Sequence, residues 1–108
     1  MILVPVEPLS INKAFQGKRF KTPIYKQFEK DCLKCLKPIK LPQKPFEVHY
    51  EFGFSSKLAD LGNPEKLVSD VLCKKYGFDD RDIYYMTLTK KIVAKGSEYF
   101  KFEIKHHE

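Results

Sequence analysis

From Phe46 to Phe54 the chain alternates strictly. Phe46, Val48, Tyr50, Phe52 and Phe54 fall on one face, and Glu47, His49 and Glu51 on the other. This period of two predicts a strand with one buried and one polar face, and it puts His49 on the polar face as a hydrogen-bonded or solvated side chain. Tyr99 to Lys105 repeats the pattern, with Phe100, Phe102 and Ile104 against Lys101 and Glu103. Ile83 to Val93 is apolar and β-branched enough for a third strand, and Ala94–Ser97 reads as a turn that returns it to the strand from Tyr99. Met1 to Val6 is a fourth, closed by Pro5 and Pro8.

Two stretches carry helical spacing instead. Tyr25, Phe28, Cys32 and Cys35 recur on one helical face, while Lys26, Lys30, Lys34 and Lys37 run along another. Thr22-Pro23 supplies an N-cap and a first-turn proline, and Pro38 stops the helix. Asn63-Pro64 repeats this start for a helix from Glu65 to about Tyr76. Its core face is Leu67, Val68, Val71 and Leu72, and Gly77 is its stop. Pro8 to Lys21 holds turn formers and cations and predicts an exposed loop or strained hairpin. Ile39 to Pro45 is a proline-interrupted connector. Two main helices against a mixed sheet of about four strands give an α/β (α+β), two-layer sandwich, and the 108 residues are expected to form one domain, 1–108.

Composition changes the picture through the placing of charge. The chain carries +6 overall, which makes an anionic partner plausible. Residues 60–82, however, hold six of the fourteen acids. A cationic surface with one acidic island suits a protein that docks phosphates broadly and holds a divalent cation locally. The bland alternative is a solvated, mixed surface. No segment has the roughly 18 to 20 apolar residues of a membrane span, and the opening residues lack the pattern of a signal peptide, so a cytoplasmic location is expected. Three cysteines fit free thiols in a reducing compartment. Cys32 and Cys35 have C-x-x-C spacing, but on the apolar face of a helix they read more simply as small buried hydrophobes than as a metal or redox site.

Within the acidic island, Asp60 follows one predicted strand, and Asp79 and Asp80 precede another. If those strands are neighbours, the carboxylates can converge at one end of the sheet and hold Mg²⁺ together with a phosphate. Lys66, one turn into the second helix, would contact a phosphate oxygen or leaving group, and Asn63 would cap that helix and orient a ligand. Asp70, four residues after Lys66, shares its helix face. The competing reading is structural: acids near a helix start favour its dipole, and Lys66 with Asp70 is an ordinary surface pair. The cations of the 13–21 loop, with Phe15 and Phe20 among them, read as a phosphate-contacting arm.

Two groups of residues carry a resemblance. Pro8-x-Ser10-x-Asn12, followed by Gly17-Lys18-Arg19 and Thr22, is similar to the N-terminal P-x-S-x-N loop of the RusA family of phage and prophage Holliday junction resolvases. Asp60-x-x-Asn63-x-x-Lys66-x-x-x-Asp70-x-Leu72, then Gly77-Phe78-Asp79-Asp80-x-x-Ile83, resembles that family's D-x-D-N-x-x-K-x-x-x-D-x-L and D-D-x-x-V/I signature. The resemblance spans most of the chain. It implies a homodimeric, Mg²⁺-dependent endonuclease, with Mn²⁺ as a substitute, that nicks four-way junctions and other branched DNA in recombination and repair. Carried over, Asp60 and Asp80 match metal-binding carboxylates and Lys66 the catalytic lysine; Asn63, Asp70 and Asp79 are auxiliary. Asn12, Lys13, Lys18, Arg19, Lys21 and Lys57 are the expected DNA contacts. The pattern departs at Gly62, where the family has its middle carboxylate, and at Ala59, where a basic residue is usual. Asp70, Asp79 or Asp82 is then the source of a third ligand, or the protein binds junctions without cutting them.

Overall fold

The computed structural model describes residues 1–17 and 20–108. Six strands and two helices follow in the order β1 (Ile2–Val4), β2 (Phe15–Gln16), β3 (Phe20–Lys21), α1 (Pro23–Cys35), β4 (Phe46–Phe54), α2 (Glu65–Tyr76), β5 (Ile83–Ile92) and β6 (Tyr99–His106). Single 3₁₀ turns occupy Ile11–Lys13 and Asp80–Asp82. The main sheet is mixed and has the order β1-β6-β4-β5, and β2 with β3 forms a separate small hairpin.

The fold is the expected two-layer α/β (α+β) sandwich, and β4 explains why. As the alternation requires, Val48, Tyr50, Phe52 and Phe54 enter the core with Phe100 and Phe102 of β6. Tyr25, Phe28 and Cys32 of α1 and Leu67, Val68, Val71 and Leu72 of α2 cover that same face. Burying each of the larger side chains is worth roughly 1.5–3 kcal/mol. Gly53 falls on the other face, where the Tyr99 ring lies across it and leaves no room for a Cβ. Among the described residues no helix is long and apolar enough to cross a membrane.

Two sequence expectations are corrected. The strands around Ala94–Ser97 do not pair with each other. Among the described residues β5 pairs only with β4, in parallel, while β6 lies on the far side of β4 and pairs antiparallel with both β4 and β1. An alternating pattern identifies a strand without naming its neighbour, and β4, buried on one face along its whole length, takes a neighbour on each side. Asn63 is also not the cap of α2. Pro64 holds that position without a side-chain cap. Thr22, by contrast, caps α1 as expected, accepting from the Tyr25 N–H at 3.2 Å. Helix α1 ends at Cys35, ahead of Pro38, and Gly77 ends α2 in the left-handed conformation, φ 71°.

Candidate functional site

The site is built on α2 and the turn after it. Lys66 and Asp70 are one helical turn apart and meet at 3.0 Å between Nζ and Oδ1. At the other end of α2, the Gly77 and Phe78 N–H groups both donate to the Cys73 carbonyl, which turns the chain sharply. The Phe78 ring packs edge-on against Phe46, centroids 5.3 Å apart, and anchors the returning segment to the start of β4. Asp79 then caps the 3₁₀ turn, accepting from the Arg81 N–H at 3.0 Å. That backbone hydrogen bond is the main reason its carboxyl is held below the usual range. The turn delivers Asp80, whose Oδ2 accepts from Lys66 Nζ at 3.1 Å.

Lys66 therefore sits between two carboxylates. Its pKa is raised, first by the hydrogen bond to Asp70 and then by that to Asp80. The three side chains are 54%, 38% and 50% exposed, so the cluster is wet and its charges are screened. Glu65, Ser69, Tyr84 and Tyr85 complete a shallow concavity around Lys66 and Asp80.

Asp60 stands elsewhere. Its Oδ2 accepts from Asn63 Nδ2 at 3.4 Å. Both line a cavity of about 780 Å³ that also includes Asn12 and Lys13 but neither Lys66 nor Asp80. The separation follows from the pairing: β4 and β5 are neighbours, but parallel ones, so the residues after β4 and those before β5 leave opposite ends of the sheet. Lys90 of β5 pins the loop after β4, donating to the Lys57 and Ala59 carbonyls. The Ile11 N–H donates to the Asn63 carbonyl at 3.3 Å, so the Pro8–Asn12 segment docks beside the segment that starts α2.

Among the described residues no three His, Cys, Asp or Glu side chains come together in a way that could hold a metal ion. Asp70 and Asp80 share the Lys66 ammonium, Asp60 belongs to another cavity, and Asp79 and Asp82 are engaged with Arg81 and Lys44. At Gly62 a Cβ would meet no atom within 4 Å, so the position of the family's middle carboxylate is open space. In this arrangement the donor set does not fit a divalent cation, whose preferred ligands are several converging oxygens.

The expected DNA contacts divide. Lys13 and Lys57 are exposed. Lys21 is neutralised by Glu29 at 2.8 Å and lies over the Tyr25 ring. Lys18 and Arg19 lie outside the described residues. The expected contacts omit the lysines of α1. Lys26, Lys30 and Lys34 stand exposed on successive turns, with no ion-pair partner among the described residues, and Lys37 and Lys40 continue beyond the helix. Their four-residue spacing was visible in the sequence as the polar face of α1.

Sequence reading also passed over a cluster on the open face of the sheet. Glu47 accepts from His49 Nε2 at 2.5 Å and from His107 Nδ1 at 3.2 Å, which holds its carboxyl below the usual range. His49 Nδ1 meets Thr87 Oγ1 at 2.6 Å, and Tyr85 stacks on His107. Cys32, Cys35 and Cys73 are free thiols, and burial pushes Cys32 up to about 12, so it is inert packing. No family model matches the chain, and no curated protein matches it.

Proposed function

We propose that this protein binds branched DNA as a RusA-like module, and that it does so without cutting. The observation that carries the reading is the row of Lys26, Lys30 and Lys34 on α1, exposed and without ion-pair partners among the described residues. The row runs about 12 Å along the helix, enough to follow several consecutive phosphates of one strand. The restriction to branched DNA comes from the resemblance. It is supported by the docking of the two segments that carry it, joined by the Ile11–Asn63 hydrogen bond although some fifty positions apart. A second copy of the chain, the further partner the resemblance implies, would double the cationic surface.

A second reading, a Mg²⁺-dependent endonuclease acting on the same junctions, is favoured by one observation: Lys66 and Asp80, the two signature residues at either end of α2, meet at 3.1 Å. The divided carboxylates weigh against it. Lys66 in either reading is a cation held in place by Asp70 and Asp80, able to exchange one carboxylate for a phosphate oxygen.

A labelled four-way junction and a linear duplex, titrated with protein at low and moderate salt with and without Mg²⁺ or Mn²⁺, tests both readings. The expected result is preferential junction binding that weakens steeply with salt, with no nicked product. Symmetric nicks in the presence of metal would replace the first reading by the second. Absence of binding to any DNA form at low salt would overturn both.

A further inference from the structure

The open face of the sheet carries a second group of polar side chains, separate from Lys66 and from the lysine row of α1. Register places Thr87 of β5 directly opposite His49 of β4, and Tyr85 opposite Glu47. On the other side of β4, Glu103 and Lys105 of β6 stand opposite His49 and Glu47. Three contacts form a chain across this face. Thr87 Oγ1 lies 2.6 Å from His49 Nδ1, His49 Nε2 lies 2.5 Å from Glu47 Oε2, and Glu47 Oε1 lies 3.2 Å from His107 Nδ1.

The position of each proton in this chain follows from its acid. Glu47 is ionised at neutral pH, because hydrogen bonds from His49 and then from His107 hold its carboxyl below the usual range. An ionised carboxylate only accepts, so His49 donates to it from Nε2. In a neutral imidazole the other nitrogen then bears the lone pair, and the proton between Nδ1 and Oγ1 is the one on Thr87. A hydroxyl that donates to an imidazole, itself oriented by a carboxylate, is the constellation that activates a hydroxyl nucleophile. The neighbouring acids do not compete for His49: Glu103 faces Lys105 at 3.6 Å, and Glu51 is held by Tyr99 and Lys101. The Tyr85 ring stands edge-on to His49, centroids 6.0 Å apart, and forms a wall beside it. His49 and Glu47 are 18% and 22% exposed and Thr87 is partly exposed, so a small molecule reaches them from solvent.

We propose that Thr87 is a nucleophile that takes an acyl group from activated acyl donors, with His49 as its general base and Glu47 as the residue that positions His49. As Oγ1 bonds to the carbonyl carbon, its proton passes to Nδ1, and Glu47, still ionised, stabilises the imidazolium. The same proton then passes to the leaving oxygen or sulfur as its bond to the carbonyl carbon breaks. An acyl-threonine ester and a neutral imidazole remain. The backbone of β4 beneath the site is already paired with β5 on one side and β6 on the other, so its N–H groups are not free to bind the oxyanion. The donor therefore has to carry a good leaving group, as an aryl ester or a thioester does. The inference rests on this sheet face and not on DNA binding.

The test is reaction of the full chain, without DNA, with p-nitrophenyl acetate. Release of p-nitrophenolate gives the rate, and peptide mass spectrometry after an early acid quench gives the site. The wild type is expected to saturate in the ester and to carry an acetyl group on Thr87 that hydroxylamine removes; acetyl-lysine resists hydroxylamine and marks the background. His49→Gln is expected to slow acetylation of Thr87 about a hundredfold, the low end for general-base catalysis. Thr87→Val is expected to abolish the ester and Thr87→Ser to keep it. Glu47→Gln is expected to lower the maximal rate and leave the half-saturating ester concentration unchanged, a split that lost packing alone would not give. Each variant is compared at temperatures where circular dichroism shows it folded. Acetylation confined to lysines, a Thr87 ester that forms as fast in His49→Gln, or Thr87→Ser without the ester would each overturn the assignment. Because the assay contains no DNA, its failure is distinct from a failure of junction binding.

Discussion

Replacing Lys66 by Met keeps most of the aliphatic stem and removes the charge that Asp70 and Asp80 share. The two accepting oxygens each lie about 3 Å from Nζ, so they are no more than roughly 6 Å apart. In water two unit charges at that distance repel by about 0.7 kcal/mol, and physiological salt removes about half of it. The two lost ion pairs add about 0.2–1 kcal/mol each, the range for exposed partners, which these are. The variant should therefore lose about 1–3 kcal/mol at low salt, a drop in Tm of roughly 4–13 °C for a domain of this size, and most of the difference should vanish at high salt. A pH series supplies the sign. Because the folded pKa of Lys66 is raised, its contribution is complete below the ordinary lysine value and is lost as pH climbs through the raised one. The gap between wild type and variant should thus be constant near neutrality and close only above about pH 10.4. Thermal melts followed by circular dichroism measure all three effects. A loss above about 3 kcal/mol that ignores salt would mean that Lys66 supports buried structure, and no loss at low salt would mean that the shared clamp does not form.

Three other outcomes follow from the geometry. Gly62→Asp meets no atom near its Cβ and should leave the stability within about 1 kcal/mol of wild type, since replacing glycine where the backbone permits offsets the added repulsion from Asp60. Melts with and without Mn²⁺ then show whether the variant gains ion-dependent stability that the wild type lacks; equal shifts would remove Gly62 as the missing ligand position. Substituting Lys26, Lys30 and Lys34 together by Ala should flatten the dependence of log affinity on log salt by about 2.7 for duplex DNA arms if all three neutralise phosphates, and an unchanged slope in a filter-binding series would place the DNA elsewhere. Tyr50→Phe removes the buried 2.7 Å contact between Tyr50 Oη and Ser69 Oγ, while Ser69 keeps its bond to Glu65. Urea unfolding should show a loss of about 0.5–1.5 kcal/mol, and a neutral result would mean that the hydroxyl contributes nothing net.

The local grammar of this chain was legible because local physics decides it. Thr22-Pro23 starts α1 since a hydroxyl at that position reaches a free N–H and a proline there gives up nothing. Gly77 ends α2 since only glycine enters the left-handed region at no steric cost. The strict alternation of β4 fixed which residues are buried. Asn63 failed as a cap because the helix begins one residue later than its pattern suggests: a turn closed by the Asn63 N–H on the Asp60 carbonyl precedes it and leaves Pro64 at the cap position. The neighbours of β5 and β6 failed likewise, because strand pairing depends on which other strands compete for β4.

That pairing decides what the acidic stretch can do. Antiparallel neighbours would have put the end of β4 and the beginning of β5 at one edge of the sheet, and Asp60 with Asp80 would have met there directly. Parallel neighbours instead make the chain travel the length of α2, about 18 Å, between leaving one strand and beginning the next. The carboxylates at the two ends then take different partners, Asn63 for Asp60 and Lys66 for Asp80. What links the ends is the lysine, long enough to reach from the first turn of the helix to the segment that returns after it. A new carboxylate at position 62 would join the Asp60 end alone. The signature residues are therefore divided by the direction of one strand pair, and their spacing in the sequence, which is the same for either direction, could not reveal it.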